Sequence, residues 1–160
     1  MVDIRHYPAA HQITKEGQFM KILILCTGNS CRSQMAHGFM KNYDERMEVY
    51  SAGVSPAYRV APEAVEVMAE KGIDISRHIP HDVREYLHGS FDYVITVCDH
   101  ANETCPFFSG DVKHRLHYPF PDPYHAKGGY SEIMKVYREV RDAIEKKFFE
   151  LYNNEIKLKL

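Results

Sequence analysis

Several things are missing from this chain of 160 residues, and each absence removes a class of function. There is no basic excess: Lys and Arg number 20 against 22 Asp and Glu, for a net charge of −2. The footprint of a nucleic-acid binder is therefore absent. No apolar run approaches the roughly 20 residues needed to span a bilayer. Residues 1–19 are mixed and polar, so no secretory signal is expected, and a cytoplasmic location, where thiols stay reduced, is. Cysteines are few: Cys26, Cys31, Cys98 and Cys105, separated by 5, 67 and 7 positions. Close C-x-x-C pairs, which a structural zinc site favours, are lacking. A secreted disulfide framework is equally out of place. That leaves buried core thiols or reactive cytosolic cysteines, with the second reading preferred. Repeats, low-complexity tracts and linkers are also absent. What is present is 44% hydrophobic and 26% charged, ordinary for a soluble protein long enough to bury a sizeable core. One domain over residues 20–160 is expected, after an extension over residues 1–19.

The apolar pattern alternates between two periods. Short buried strands are expected at Lys21–Leu25, Met47–Ser51, Tyr93–Val97 and Val112–His117. Helical stripes run through Ser33–Tyr43, Ala61–Lys71 (ending at Gly72, a stop signal) and Tyr130–Leu151, with a short helix at His81–Leu87. Strands alternating with helices imply an α/β three-layer sandwich: a four-stranded parallel sheet with helices on both faces. Ligands in such sheets bind beyond the carboxyl ends of the strands. Cys26 and Cys98 both fall at such ends.

The densest chemistry follows the first strand. Cys26 is succeeded by Thr27, Gly28, Asn29, Ser30 and Cys31, then Arg32 and Ser33 at the start of a helix. Five small or polar residues between a thiol and a guanidinium let a loop curl around a tetrahedral oxyanion. Its N–H groups form an anion nest, reinforced by the helix N-terminus. Arg32 is suited to donate two parallel hydrogen bonds. The same field suits a thiolate at Cys26, to which Ser33 can donate. Gly28 permits a positive φ, Asn29 can brace the loop, and Cys31 reads as small packing. Asp122, in Phe120-Pro-Asp-Pro-Tyr124 after the fourth strand, is the candidate acid for a leaving oxygen; an ordinary turn aspartate is the alternative. Tyr124 is a candidate for the rim.

The loop, Tyr50-Ser-Ala-Gly53 and Asp122-Pro123 together resemble the low-molecular-weight protein tyrosine phosphatase superfamily across roughly residues 20–152. Within it, Gln34-Met35-Ala36 is similar to the thioredoxin-coupled arsenate reductases, since the phosphatases usually carry Pro where Gln34 stands. His37 departs from a position that is commonly acidic. Val97-Cys98-Asp99 and Cys105-Pro106 add to the likeness, because those reductases carry two further cysteines at this spacing. The resemblance implies that Cys26 attacks arsenate, Asp122 protonates the departing oxygen, and Cys98 then Cys105 take up the oxidising equivalent as successive disulfides. Thioredoxin is the implied external reductant, with no metal or organic cofactor and a monomeric protein. The phosphatase branch is the alternative, and it needs Cys26, Arg32 and Asp122 alone.

In a helix over residues 99–105, Cys98 and Cys105 would stand about 10.5 Å apart along the axis. A disulfide needs Cα atoms within roughly 4.4–6.8 Å, so this stretch is expected to unwind on oxidation. Some reductases hold a potassium ion behind the loop, in part through a Thr and an Asp downstream of an Asp-Ile-Ser segment. Asp74-Ile-Ser-Arg-His78 is present here, but the downstream positions are Ile79 and His81. A potassium site is doubtful, with Asn29 and Ser51 its remaining candidates. The His78-x-x-His81 and His114-x-x-His117 pairs are read as turn or solvated histidines.

Overall fold

The computed structural model describes residues 19–99 and 107–160. Its centre is a four-stranded sheet of β1 (Met20–Cys26), β2 (Met47–Gly53), β3 (Ser90–Thr96) and β4 (Asp111–His117), in the order β2-β1-β3-β4. Every neighbouring pair is parallel, with Cys26 level with Gly53, Leu25 with Thr96, and Thr96 with His117. All four carboxyl ends therefore face the same edge. β1 lies inside the sheet, and Ile22, Leu23, Ile24 and Leu25 are fully buried. Each such side chain contributes about 1.5–3 kcal/mol relative to exposure.

The two faces are covered unequally. On one, Ile22, Ile24, Tyr93 and Ile95 meet α1 (Arg32–Tyr43), α2 (Pro62–Ala69) and α3 (Tyr130–Leu151) through Met35, Phe39, Met68, Tyr137, Ile144 and Phe148. On the other, Leu23, Leu25 and Val94 pack with Phe91, Phe108, Tyr86 and Leu87. The helical cover there, among the described residues, is the single 3₁₀ turn Val83–Tyr86. It stands where a short helix over His81–Leu87 is expected, and Asp82 and Glu85 close it as a reciprocal capping box. The long helix matches its expected bounds, Tyr130–Leu151, because its apolar stripe is continuous. It runs on into a π-helical turn, Tyr152–Ile156, that periodicity does not announce.

Small shifts elsewhere have local causes. α2 stops at Ala69, where Gly72 takes φ +73° and Ile73 N–H closes onto Met68 O at 3.1 Å. β3 begins at Ser90, three residues before Tyr93, because the Asp92 carboxylate accepts the Lys21 N–H at 2.8 Å and ties the strand start to β1. Cys105 and the stretch 100–106 lie outside the described residues, as does most of the extension.

Candidate active site

Cys26 is the last residue of β1 and is 2% exposed. The loop after it turns sharply through Asn29, whose φ is +51°. This corrects the expectation for Gly28, which does not take a positive φ. An asparagine tolerates the left-handed region when its side chain is held locally, and Asn29 is held on every side. Its Oδ1 accepts the His81 main-chain N–H at 2.9 Å, so Nδ2 is the donor to Ser33 Oγ at 2.7 Å. That bond occupies the Ser33 oxygen as an acceptor. The hydroxyl proton is left to point at Cys26 Sγ, 2.9 Å away. Asn29 N–H also donates to Cys26 Sγ, at 3.1 Å. Two donors thus converge on the sulfur.

The outer wall of the loop is an arm that leaves β2. Ser55 N–H donates to Thr27 O at 2.9 Å, Ala57 N–H to Gly28 O at 2.8 Å and Ala61 N–H to Ser30 O at 3.0 Å. Ser30 Oγ reaches back to Arg59 O at 3.1 Å. Gly53 is required where arm and loop meet, since a Cβ there would collide with Thr27 O and come within 3.0 Å of Asn29 N.

Arg32, the first residue of α1, is 3% exposed and crosses to the other side of the cleft. Its Nη1 donates to Phe120 O at 3.2 Å, and its Nη2 lies 3.4 Å from Asp122 Oδ2. Asp122 caps the 3₁₀ turn Pro123–His125, with Oδ1 accepting the Tyr124 N–H at 3.0 Å and Oδ2 3.6 Å from His125 Nε2. The structure thus brings Cys26, the loop and Asp122 to one cleft of about 750 Å³. Tyr58, Arg59, Glu63, Tyr124 and His125 complete its walls. Tyr58 and Tyr124 are 99% and 66% exposed. Tyr58, Arg59 and Glu63 are not anticipated from the sequence. The usable signal is that their arm follows the carboxyl end of the strand beside the one that ends in Cys26.

Cys31 sits below the loop. Its Sγ meets the Tyr137 hydroxyl at 3.5 Å, and burial pushes its thiol up to about 12. It stays protonated and suits packing. Cys98 is fully buried in the same apolar cluster as Cys26 and Cys31. Cys98 is disulfide-bonded, whereas Cys26 and Cys31 are free thiols.

The polar groups behind this loop have protein partners of their own. Asn29 Oδ1 is committed to two N–H donors, His81 N and Gln34 Nε2, and Ser51 Oγ meets His37 Nδ1 at 2.9 Å. Ile79 offers a main-chain carbonyl, which accepts from Gln34 at 3.2 Å. Among the described residues, no group of three or more His, Cys, Asp or Glu side chains is placed to hold a metal ion. The histidine pairs have other contacts: His114 stacks on Tyr93, His117 meets Thr96 Oγ1 at 2.7 Å, and His78 meets Gln34. No helix among the described residues is long and apolar enough to cross a membrane.

Sheet, loop and cleft define an α/β domain that presents a backbone-cradled cysteine at the carboxyl edge of its sheet, facing an arginine and an aspartate. Residues 21–159 match the family described as low molecular weight phosphotyrosine protein phosphatase, and the chain belongs to that family. The arsenate reductase of Halalkalibacterium halodurans is 46% identical over 127 residues, covering 79% of this chain and 90% of that protein. That of Bacillus subtilis (strain 168) is 43% identical over 124 residues, covering 77% and 88%. Among solved structures, an arsenate reductase in its phosphate-binding state superposes with a TM-score of 0.72 at 28% identity, covering 85% of this chain and 98% of that one. A low molecular weight protein tyrosine phosphatase from T. tengcongensis superposes at 0.66 and 26% identity, covering 84% and 99%.

Proposed function

We propose that this protein reduces arsenate to arsenite, using Cys26 as nucleophile and Cys98 and Cys105 as successive carriers of the oxidising equivalent. The observation that carries the reading is the shared burial of Cys98 with Cys26 in one cluster at neighbouring strand ends. A phosphatase has no use for a second thiol there. The names of the relatives point to the same substrate.

In the first step the Cys26 thiolate attacks arsenic held by the loop N–H groups and Arg32. Asp122 protonates one oxygen, which leaves as water, and a Cys26 Sγ–As(V) bond forms. Next the Cys98 thiolate attacks Cys26 Sγ. The S–As bond breaks, its electron pair passes to arsenic, and arsenite departs as As(III), leaving a Cys26–Cys98 disulfide. Cys105 then attacks Cys98 as a thiolate, forming Cys98–Cys105 and returning Cys26 as the free thiolate. A dithiol of the thioredoxin class reduces the last disulfide by exchange. The disulfide at Cys98 beside a free Cys26 is consistent with this resting product. The reading places the protein in a reducing cytoplasm as a monomer, and routes no step through a metal or organic cofactor.

The test is arsenate-dependent NADPH oxidation coupled through thioredoxin and its reductase, run beside aryl-phosphate hydrolysis. Cys98→Ser is expected to abolish arsenite production while hydrolysis survives. Arsenite production unaffected by Cys98→Ser would sink the relay. The breadth of the cleft, about 750 Å³ with exposed Tyr58 and Tyr124 at its mouth, exceeds what arsenate occupies and favours a second reading. In that reading an aryl phosphate is hydrolysed through a Cys26 phosphoenzyme, with Asp122 as the acid.

A further inference from the structure

We propose that Arg115, on the edge strand β4 and away from the cleft, is a positioning residue for the thiol relay: it clamps the chain just after the segment that carries Cys105 and so favours the disulfide at Cys98. Its Nη1 donates to Phe108 O at 2.5 Å and its Nη2 to Gly110 O at 3.3 Å. Its guanidinium carbon also stands 4.8 Å from the centre of the Phe107 ring. One side chain thus holds three of the four residues that lead into β4 at Asp111. Lys113, two positions earlier on the same strand, turns instead to Asp92, 3.2 Å away. A planar fork with donors on both arms bridges two carbonyls at once, which an ammonium cannot do. The residues gripped are themselves packed. Phe108 is 1% exposed and meets Phe91 edge-on, ring centroids 5.7 Å apart. Gly110 is required there, because a Cβ would run into the Phe108 ring.

The chain just before Cys98 is fixed as well. Val97 N–H donates to Leu25 O at 2.9 Å, and Val97 O accepts the Phe120 N–H at 3.3 Å. Val97 is therefore tied on one side to the residue before Cys26, and on the other to the residue whose carbonyl Arg32 holds. Between the anchors at Val97 and Phe108 the peptide path runs through ten residues, 98–107; through a Cys98–Cys105 disulfide it runs through four, Cys98 and residues 105–107. The odds of closing a loop fall as the three-halves power of its length, so the shorter path closes about fourfold more readily. Coupling of this kind is reciprocal: as far as the disulfide helps the clamp to close, the clamp favours the disulfide. The clamp is in place in the structure, where Cys98 is disulfide-bonded. In the exchange it assists, the Cys105 thiolate attacks Cys98 Sγ of the Cys26–Cys98 disulfide. One S–S bond forms as the other breaks, Cys26 leaves as the thiolate, and nothing is oxidised or reduced overall. Favouring the product returns Cys26 to the cleft before any external dithiol arrives.

This inference rests on the proposed relay, and its test leaves arsenate out. The full-length protein is equilibrated with mixtures of reduced and oxidised glutathione, free thiols are trapped with iodoacetamide, and the Cys98–Cys105 disulfide is quantified by peptide mass spectrometry. Arg115→Met keeps the aliphatic stem and removes both donors. It is expected to lower the equilibrium constant for the disulfide about threefold, under the fourfold ceiling set by loop closure. Arg115→Lys, which reaches one carbonyl at a time, should fall between that variant and wild type. Lys113→Met removes a cation from the same strand and should match wild type. A cooperatively melting Arg115→Met protein with the wild-type constant overturns the proposal. So does an equal fall in Lys113→Met, which would assign the effect to positive charge on β4 and not to the clamp. If Arg115→Met does not melt cooperatively, an Arg115→Lys protein with the wild-type constant overturns it instead. A wild-type protein that forms no Cys98–Cys105 disulfide in any mixture would sink the relay itself, and the role of the clamp with it.

Discussion

Cys26 and Asp122, the proposed nucleophile and the proposed acid, face each other across one guanidinium, yet they are held in opposite ways. Cys26 ends an internal strand, is 2% exposed, and receives two hydrogen bonds from a loop whose own carbonyls are tied down at Thr27, Gly28 and Ser30. Asp122 sits on a single 3₁₀ turn, its side chain 26% exposed, held by one N–H, the Arg32 guanidinium and the His125 imidazole. The difference suits the work proposed for each. A nucleophile must meet its target within a few tenths of an ångström in a dry, positive pocket. An acid must also recover its proton from solvent after each turnover, so full enclosure would defeat it.

The largest effect should come from the enclosed side. Cys26→Ser is expected to lower both arsenite formation and aryl-phosphate hydrolysis by at least about 10⁴-fold, the scale of removing a nucleophile outright. Residual turnover above a thousandth of wild type in either assay would mean that Cys26 is not the attacking atom. Arg32→Lys comes next, because Arg32 starts α1 directly after the loop and its guanidinium reaches Phe120 O and Asp122. A point charge cannot hold Phe120 O and Asp122 while also forking around an oxyanion. A loss of about 10²–10³-fold in kcat/KM is expected, with weaker protection of Cys26 by phosphate. A loss confined to KM would assign Arg32 to binding alone.

Asp122→Asn separates the halves. It removes the acid and keeps the shape, including the oxygen that accepts the Tyr124 N–H. Turnover should fall about 10²-fold, while alkylation of Cys26 by iodoacetamide, which needs no acid, should stay within a factor of two. Equal losses in both assays would show that the carboxylate holds the loop as well as donating a proton, and the contrast drawn above would fail.

What was legible in the sequence follows the same division. The strand, loop, Arg32 and helix are contiguous, so backbone geometry and a run of small residues reveal them together. Asp122 is marked by its flanking prolines, which fix the turn it caps. The network behind Cys26 is not marked in this way. Gln34 and His78 are 44 residues apart, and Asn29 and the His81 N–H are 52 apart; no local pattern links them until β1, α1 and the loop before Val83 are packed. Asn29 in place of Gly28 as the left-handed residue is hidden for the same reason, since the conformation depends on distant partners. Tyr58 reaches the cleft because its arm hydrogen-bonds to the loop, a tertiary fact. Among the described residues the helical layer falls mostly on one face, because α1, α2 and α3 pack against each other as well as against the sheet.

The smallest effect expected is invisible at neutral pH and appears on acidification. His37 is held neutral to about 3, mainly by burial, whereas in the unfolded chain it titrates near 6.5. As pH falls below about 6.5, the unfolded state takes up a proton that the folded state refuses, so stability drops with falling pH by at most about 1.4 kcal/mol per unit. The loss stops near pH 3, where the folded form binds the proton too. His37→Gln retains an amide for the Ser51 hydroxyl and has nothing to titrate. Its melting temperature should match wild type within a degree or two at pH 7.5 and exceed it by several degrees at pH 5. A residual slope is expected in the variant because His78 is lowered by the same burial. Parallel melting curves for the two proteins across that range would mean that protons reach His37 freely. The side of the site behind the nucleophile would then be as open to solvent as the side that carries the acid.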